Sequence, residues 1–319
     1  MEDSDRSTGG FDFEELRERI ARRKFLIGGT ALVGGLAFTN QSDTNRSKSE
    51  ERLTQAEDRL AELAVTINDA DLVDPRQSLQ LNNDVTQVIK SVDDSLNQDL
   101  PEDPEIEQRV SALVAASEYY GTLAKTLDVA ASLLTQIADL ELIVLNHEGE
   151  LGYDPATDFD TLAFNKSVKQ LSKAEKNPDA VTSRDRKLVP EQQQVLDDLR
   201  SQRNIFESHL TAQKIYLDTA AAIEAGIRAH EKSRFDIARS ALTDARKSLS
   251  SGIPNTDARY RLSSVGLSLD QYERLLRLRQ KGVSKLLSVC NDSVPVQQRR
   301  SVANDALDRF FEARQIVTN

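Results

Sequence analysis

Leu262–Cys290 reads LSSVGLSLDQYERLLRLRQKGVSKLLSVC. Leu262, Val265, Leu269, Tyr272, Leu276, Val283, Leu286 and Cys290 recur at steps of three, four or seven, the spacing of one helix face. A strand would alternate every second residue, and such alternation is lacking here. Only Arg279 interrupts the stripe. The pattern predicts a long helix whose apolar seam packs against other helices.

The same period extends outward along the chain. Leu53, Ala56, Leu60, Leu63, Ile67 and Ala70 form a first stripe, and a second helix is expected near Leu79–Leu96. Asp103-Pro104 reads as an N-cap and first helical residue. Beyond it Leu113, Tyr120, Leu127 and Leu134 repeat every seventh residue, with Ala116, Leu123, Ala130 and Ile137 between them, in a helix ending near His147. A short helix is expected near Phe159–Lys176, and a long one carrying Leu196, Leu199, Phe206, Leu210, Leu217 and Ala221. Val302, Ala306, Phe310 and Ala313 mark the last. Tryptophan is absent and aromatics are 5%, so the core must come from Leu, Ile, Val and Ala, which suits packed helices. The expected fold is all-α: an elongated helical bundle or short helical array with coiled-coil-like packing.

Composition shifts divide the chain. Residues 1–38 form a leader, and 39–50, TNQSDTNRSKSE, read as a polar linker. Residues 51–176 make an acidic N-terminal helical region, 177–190 a charged boundary loop with two prolines, and 191–319 a C-terminal helical region with a basic face.

The leader contains Arg22-Arg23-Lys24-Phe25-Leu26-Ile27 and then an uncharged run from Phe25 to Phe38. As a helix its 14 residues reach roughly 21 Å, short of a hydrocarbon core of ~30 Å. Arg22, Arg23, Phe25 and Leu26 match the twin-arginine translocation signal, which this segment resembles; Ala21 and Ile27 stand where that pattern has Ser/Thr and Lys. The resemblance implies recognition by the twin-arginine export machinery and transfer of an already folded protein across the cytoplasmic membrane. Two exits follow: cleavage after a small residue near Ala37 with release, or retention of residues 25–38 as a signal-anchor transmembrane helix at the outer face. The acidic, lysine-poor composition, with net charge −11 and 27 arginines against 14 lysines, resembles that of proteins from extreme halophiles.

Residues 222–250 resemble one tetratricopeptide-type helical hairpin through Gly226, Phe235, Ala238, Leu242 and Ala245. In that family small residues let two helices touch, and a concave face binds peptides. Ala222, Ala229 and Ser250 depart from the pattern, and no second copy follows at the right period.

Catalytic and metal-binding constellations are missing from the sequence. His147, His209 and His230 lack a histidine or cysteine partner at ligand spacing, so no metal or cofactor site is expected. Cys290, the one cysteine, falls at a core position, and Asp197-Asp198 point to different helix faces. The acidic loop Glu148, Glu150, Asp154, Asp158 and Asp160 lacks the order of acids and the glycine of an EF-hand. Charge is more informative. Residues 39–227 carry a net −17 and residues 228–300 a net +8. Arg274, Arg277, Lys281 and Lys285 are the candidate basic face for an acidic envelope partner, and long helices permit self-association. An acidic chain with an export signal disfavours nucleic acid. The expected function is a non-catalytic scaffold or protein-binding module at the cell envelope. The alternative is an enzyme or solute receptor with a site built from Tyr119, Tyr120, His209 and Tyr216 facing a bundle cavity.

Overall fold

A computed structural model describes residues 39–98, 100, 101, 103–146, 161–174, 185–252, 262, 266–291 and 293–318. Among them the fold is all-α, with eight α-helices: α1 Thr39–Asp69, α2 Pro75–Leu96, α3 Pro104–Asn146, α4 Thr161–Ala174, α5 Gln192–Glu231, α6 Phe235–Leu249, α7 Leu269–Cys290 and α8 Val296–Thr318. A short 3-10 helix, Asp185–Leu188, precedes α5. The export signal at Arg22, Arg23, Phe25 and Leu26, the acidic loop and His147 lie outside the described residues. No described helix is long and apolar enough to cross a membrane.

The described residues form two compact units, and neither is one of the contiguous regions expected from composition. The first is drawn from the described residues within 39–70, 80–126 and 169–196; the second from those within 71–79, 127–168 and 197–318. In the first unit the expected α1 stripe is buried from Leu53 to Ile67, as are Leu113, Ala116, Tyr120 and Leu123 of α3. The Tyr120 hydroxyl donates to the Leu60 carbonyl at 3.3 Å. Arg109 grips Glu57 in a fork, Nε to Oε1 at 2.7 Å and Nη2 to Oε2 at 2.8 Å, tying α3 to α1 with a geometry lysine lacks.

Two expected spacers are structured. Residues 39–50 belong to α1, where Arg46 pairs with Glu50 one turn on and with Asp103 at 3.1 Å, so the polar run continues the helix. At the described end of the 177–190 loop, Leu188 and Val189 are buried, and the 3-10 helix packs on α1. Asn68 Oδ1 accepts the Glu191 N–H at 2.7 Å there. Asp103 caps α3 as its sequence predicts, its Oδ1 accepting the Glu105 N–H at 2.8 Å.

The helix α5 runs unbroken for 40 residues, so the first helix of the expected hairpin is the end of this longer one. It stops in a turn with Ser233 at φ 60°; Ser233 N–H donates to the His230 carbonyl and Arg234 N–H to that of Ala229. These are the two bonds of a Schellman motif. The turn folds α6 back on α5, and a Cβ on Gly226 would lie 2.6 Å from Leu242 Cγ. Ala238, Leu242 and Ala245 are buried at this contact.

The helix expected to carry Leu262 begins later. Ser268 caps α7: its Oγ accepts the Gln271 N–H at 3.3 Å while Gln271 Oε1 accepts the Ser268 N–H at 2.9 Å, a capping box. Leu262 is buried without being helical. At the other end, Cys290 is buried and its carbonyl accepts from Arg239 Nη2 of α6 at 2.8 Å.

The turn and the hairpin contact yield opposite stability changes. Ser233→Gly relieves a left-handed backbone and raises unfolding stability by about 1 kcal/mol. Gly226→Ala forces Leu242 aside; overpacking of about 1–3 kcal/mol exceeds the helix-propensity gain of about 1 kcal/mol. Urea unfolding of both variants measures this, and a stabilised Gly226→Ala would show that the hairpin is looser than described.

Candidate functional site

The second unit buries a carboxylate and half-buries a guanidinium, and the two have different surroundings. Glu141 of α3 is 4% exposed. Its Oε2 accepts Gln213 Nε2 of α5 at 2.7 Å and the Tyr272 hydroxyl of α7, and its Oε1 accepts the Leu267 N–H just before the α7 cap. Gln213 Nε2 also donates to the Ile137 carbonyl at 3.0 Å. Burial, and then the nearby Glu141 charge, hold the Tyr272 hydroxyl well above its usual range, so it keeps its proton and donates it. The buried His209 ring stands edge-on to Tyr272 with centroids 6.1 Å apart. Both carboxylate oxygens thus take donors from inside the protein, which makes Glu141 a structural charge.

Arg279 lies two helical turns along α7 from Tyr272, on the same side of the helix. Its guanidinium carbon sits 3.7 Å from the centroid of the Tyr216 ring, and Nη1 donates to the Tyr216 carbonyl at 2.8 Å and to Thr219 Oγ1 at 3.4 Å. Burial pushes this guanidinium below its usual value, against the opposing pull of Tyr216.

Both residues line an open cleft of about 570 Å³ between α5, α7 and α8. Tyr216, Ala220, Ile223, Ile227 and Glu231 step by three and four along one face of α5, joined by Phe310 and Arg314 from α8. Glu224 and Arg228, an ion pair one turn apart, also line it. A missing side chain helps set the Phe310 wall: a Cβ on Gly282 would lie 2.7 Å from the Phe310 ring, so α8 comes close to α7 only because glycine stands there.

The expected basic face is only partly basic. Arg274 and Lys281 are exposed on the side of α7 turned from the seam. Arg277 is paired with Glu273 on its own helix, and Lys285 with Asp305 of α8, whose carboxyl that contact holds below the usual carboxylate range. The aromatic and histidine set proposed for a bundle cavity divides between the units. Tyr119 and Tyr120 pack ring against ring in the first at 5.5 Å, while His209 and Tyr216 belong to the second. Of the four, Tyr216 alone is among the cleft residues. Asp197 pairs with Arg200, whereas Asp198 has its proton affinity raised by partial burial and then by Asp71 and Asp197. Among the described residues no three His, Cys, Asp or Glu side chains are grouped to hold a metal ion.

Glu141 and Arg279, which organise this region, were not picked out as site residues by sequence reasoning. Their signal was nevertheless present, since each puts a charge on an apolar repeat: Glu141 seven residues after Leu134, Arg279 seven after Tyr272.

Tyr272→Phe removes one donor from the buried carboxylate and costs about 1–3 kcal/mol at neutral pH. Because the folded-state pKa of Tyr272 is raised, its contribution is complete below the ordinary value of 10.0 and is lost as pH rises through the folded value. Urea unfolding of wild type and variant therefore converges in strongly alkaline solution; a gap independent of pH would exclude the bond. No family model, curated protein or solved structure matches this chain.

Proposed function

We propose that the chain is an exported, non-catalytic helical module that binds a partner at the cell envelope, either released there or held by residues 25–38. The observation that carries the binding part is the open cleft of the second unit. Apolar side chains from α5 and α8 form its walls, and Glu224, Arg228, Glu231 and Arg314 supply charges of both signs. Apolar and charged side chains line it in equal number, so it offers apolar surface for affinity and charge for orientation. Export rests on the sequence Arg22-Arg23-Lys24-Phe25-Leu26. The solvent face with Arg274 and Lys281 is a second contact surface for an acidic partner.

One observation favours a second reading, a receptor for a small solute. Arg279 is a charge on a seam position, and it lines the cleft with no ion-pair partner among the described residues.

Two experiments separate these parts. Replacing Arg22 and Arg23 together by lysine stops export and leaves the protein in the cytoplasm, as read by cell fractionation with mass spectrometry of the N-terminus. Continued export of the double variant would remove the twin-arginine assignment. A photo-crosslinker at Ile227, in the cleft, captures one envelope protein in intact cells, while the same group at the exposed Lys247 of α6 does not. Equal labelling at both positions would remove the binding-module reading.

A further inference from the structure

Several other arginines removed in part from water have a carboxylate beside them. Arg109 has Glu57 at 2.7 Å, Arg203 has Glu207 at 3.8 Å, and Arg309 has Glu312 at 2.9 Å. Arg279 does not. Among the described residues its contacts are a tyrosine ring, a carbonyl and a hydroxyl, all neutral, and its hydrogen bonds to them pass through Nη1. Nε and Nη2 donate to no described residue, although a guanidinium is built to grip two oxygens with that edge. A half-buried cation whose hydrogen-bond and ring partners are neutral leaves its charge uncompensated at close range, and an anion satisfies it best.

The rest of the lining states what kind of anion. Arg228, Arg279 and Arg314 against Glu224 and Glu231 leave the lining one net positive charge, which a single carboxylate balances and a doubly charged phosphate overshoots. Ile223, Ile227, Ala220 and Phe310 supply apolar wall, and a volume of about 570 Å³ falls in the range of small-molecule sites. We infer that the cleft binds a small monocarboxylic acid with an apolar body, its carboxylate on the Nε and Nη2 edge of Arg279 and its body against Ile223, Ile227 and Phe310. Arg279 is the anchor, with Tyr216 and Thr219 holding it in place; lysine in its position would supply charge without the planar fork. The inference rests on reading this cleft as the binding site.

The test is calorimetric titration of the full chain with hexanoate and phenylacetate, using hexanamide and phenylacetamide as uncharged counterparts. Both acids are expected to bind, at least tenfold more tightly than their amides. Arg279→Gln should lose that preference, and Arg279→Lys should keep only part of it. Because Arg279 also contacts α5, an Arg279→Gln protein that fails to fold is replaced by Ile227→Glu. That position is only half-buried, and its new carboxylate should repel the acids while sparing the amides. Acids and amides binding equally, or neither binding at millimolar concentration, would overturn the inference. Acid binding without a cross-linked envelope protein would support the acid site and remove the module reading. A cross-linked protein with no acid binding would do the reverse.

Discussion

A buried carboxylate with no cation beside it among the described residues is the constraint on which the second unit depends. Removing an ionised carboxyl from water costs several kcal/mol even after relaxation, so the fold must return donors to both oxygens. Glu141 receives them from Gln213, Tyr272 and the Leu267 amide. These bonds reach from α3 to α5, to α7 and to the segment just before the α7 cap. Only one register of the three helices satisfies all of them together. Apolar seams are tolerant, because Leu against Ile packs tolerably at more than one register; a carboxylate that must meet an amide, a hydroxyl and a backbone N–H is not.

That register propagates by helix geometry. With the start of α7 fixed at Ser268 and Tyr272 fixed on Glu141, the next residues on this side of α7 follow at two-turn spacing, about 10 Å further on. Arg279 is there. On α5 the residues one to two turns beyond Gln213 are Tyr216 and Thr219, the groups that meet Arg279. The cleft is therefore set by the packing beneath it rather than by loops. Its depth on the α8 side depends on the missing Cβ of Gly282.

The sequence made the helices legible because their apolar period is long and repeated, and it made the Asp103 cap legible because the cap is local. It misled where a long-range partner decides. Residues 39–50 look like a linker until Arg46 finds Asp103, and Lys285 looks like part of a basic face until Asp305 of α8 neutralises it. The two units are each assembled from separated segments, which no local shift of composition marks. A strict heptad also drifts by roughly 20° per repeat on a straight helix. Leu133 is accordingly fully buried where the repeat pointed to Leu134, and the seam still brings Glu141 inside.

Glu141 and Arg279 share the sequence signature of a charge on an apolar repeat, and what distinguishes them is where their hydrogen-bonding capacity is used. For Glu141 both oxygens are filled from within, so the charge is consumed in holding three helices together. For Arg279 one nitrogen is tied to Tyr216 and Thr219, which fixes the side chain, while the remaining edge has no protein acceptor among the described residues. A charge needed only for architecture would be expected to end in a closed network, since each unfilled donor in a half-buried site weakens the fold. A charge held rigidly by one nitrogen and left open at the others is preorganised for something outside the chain. By that criterion the polar interruption of a seam is structural at α3, while at α7 it is the anchor proposed above for a ligand.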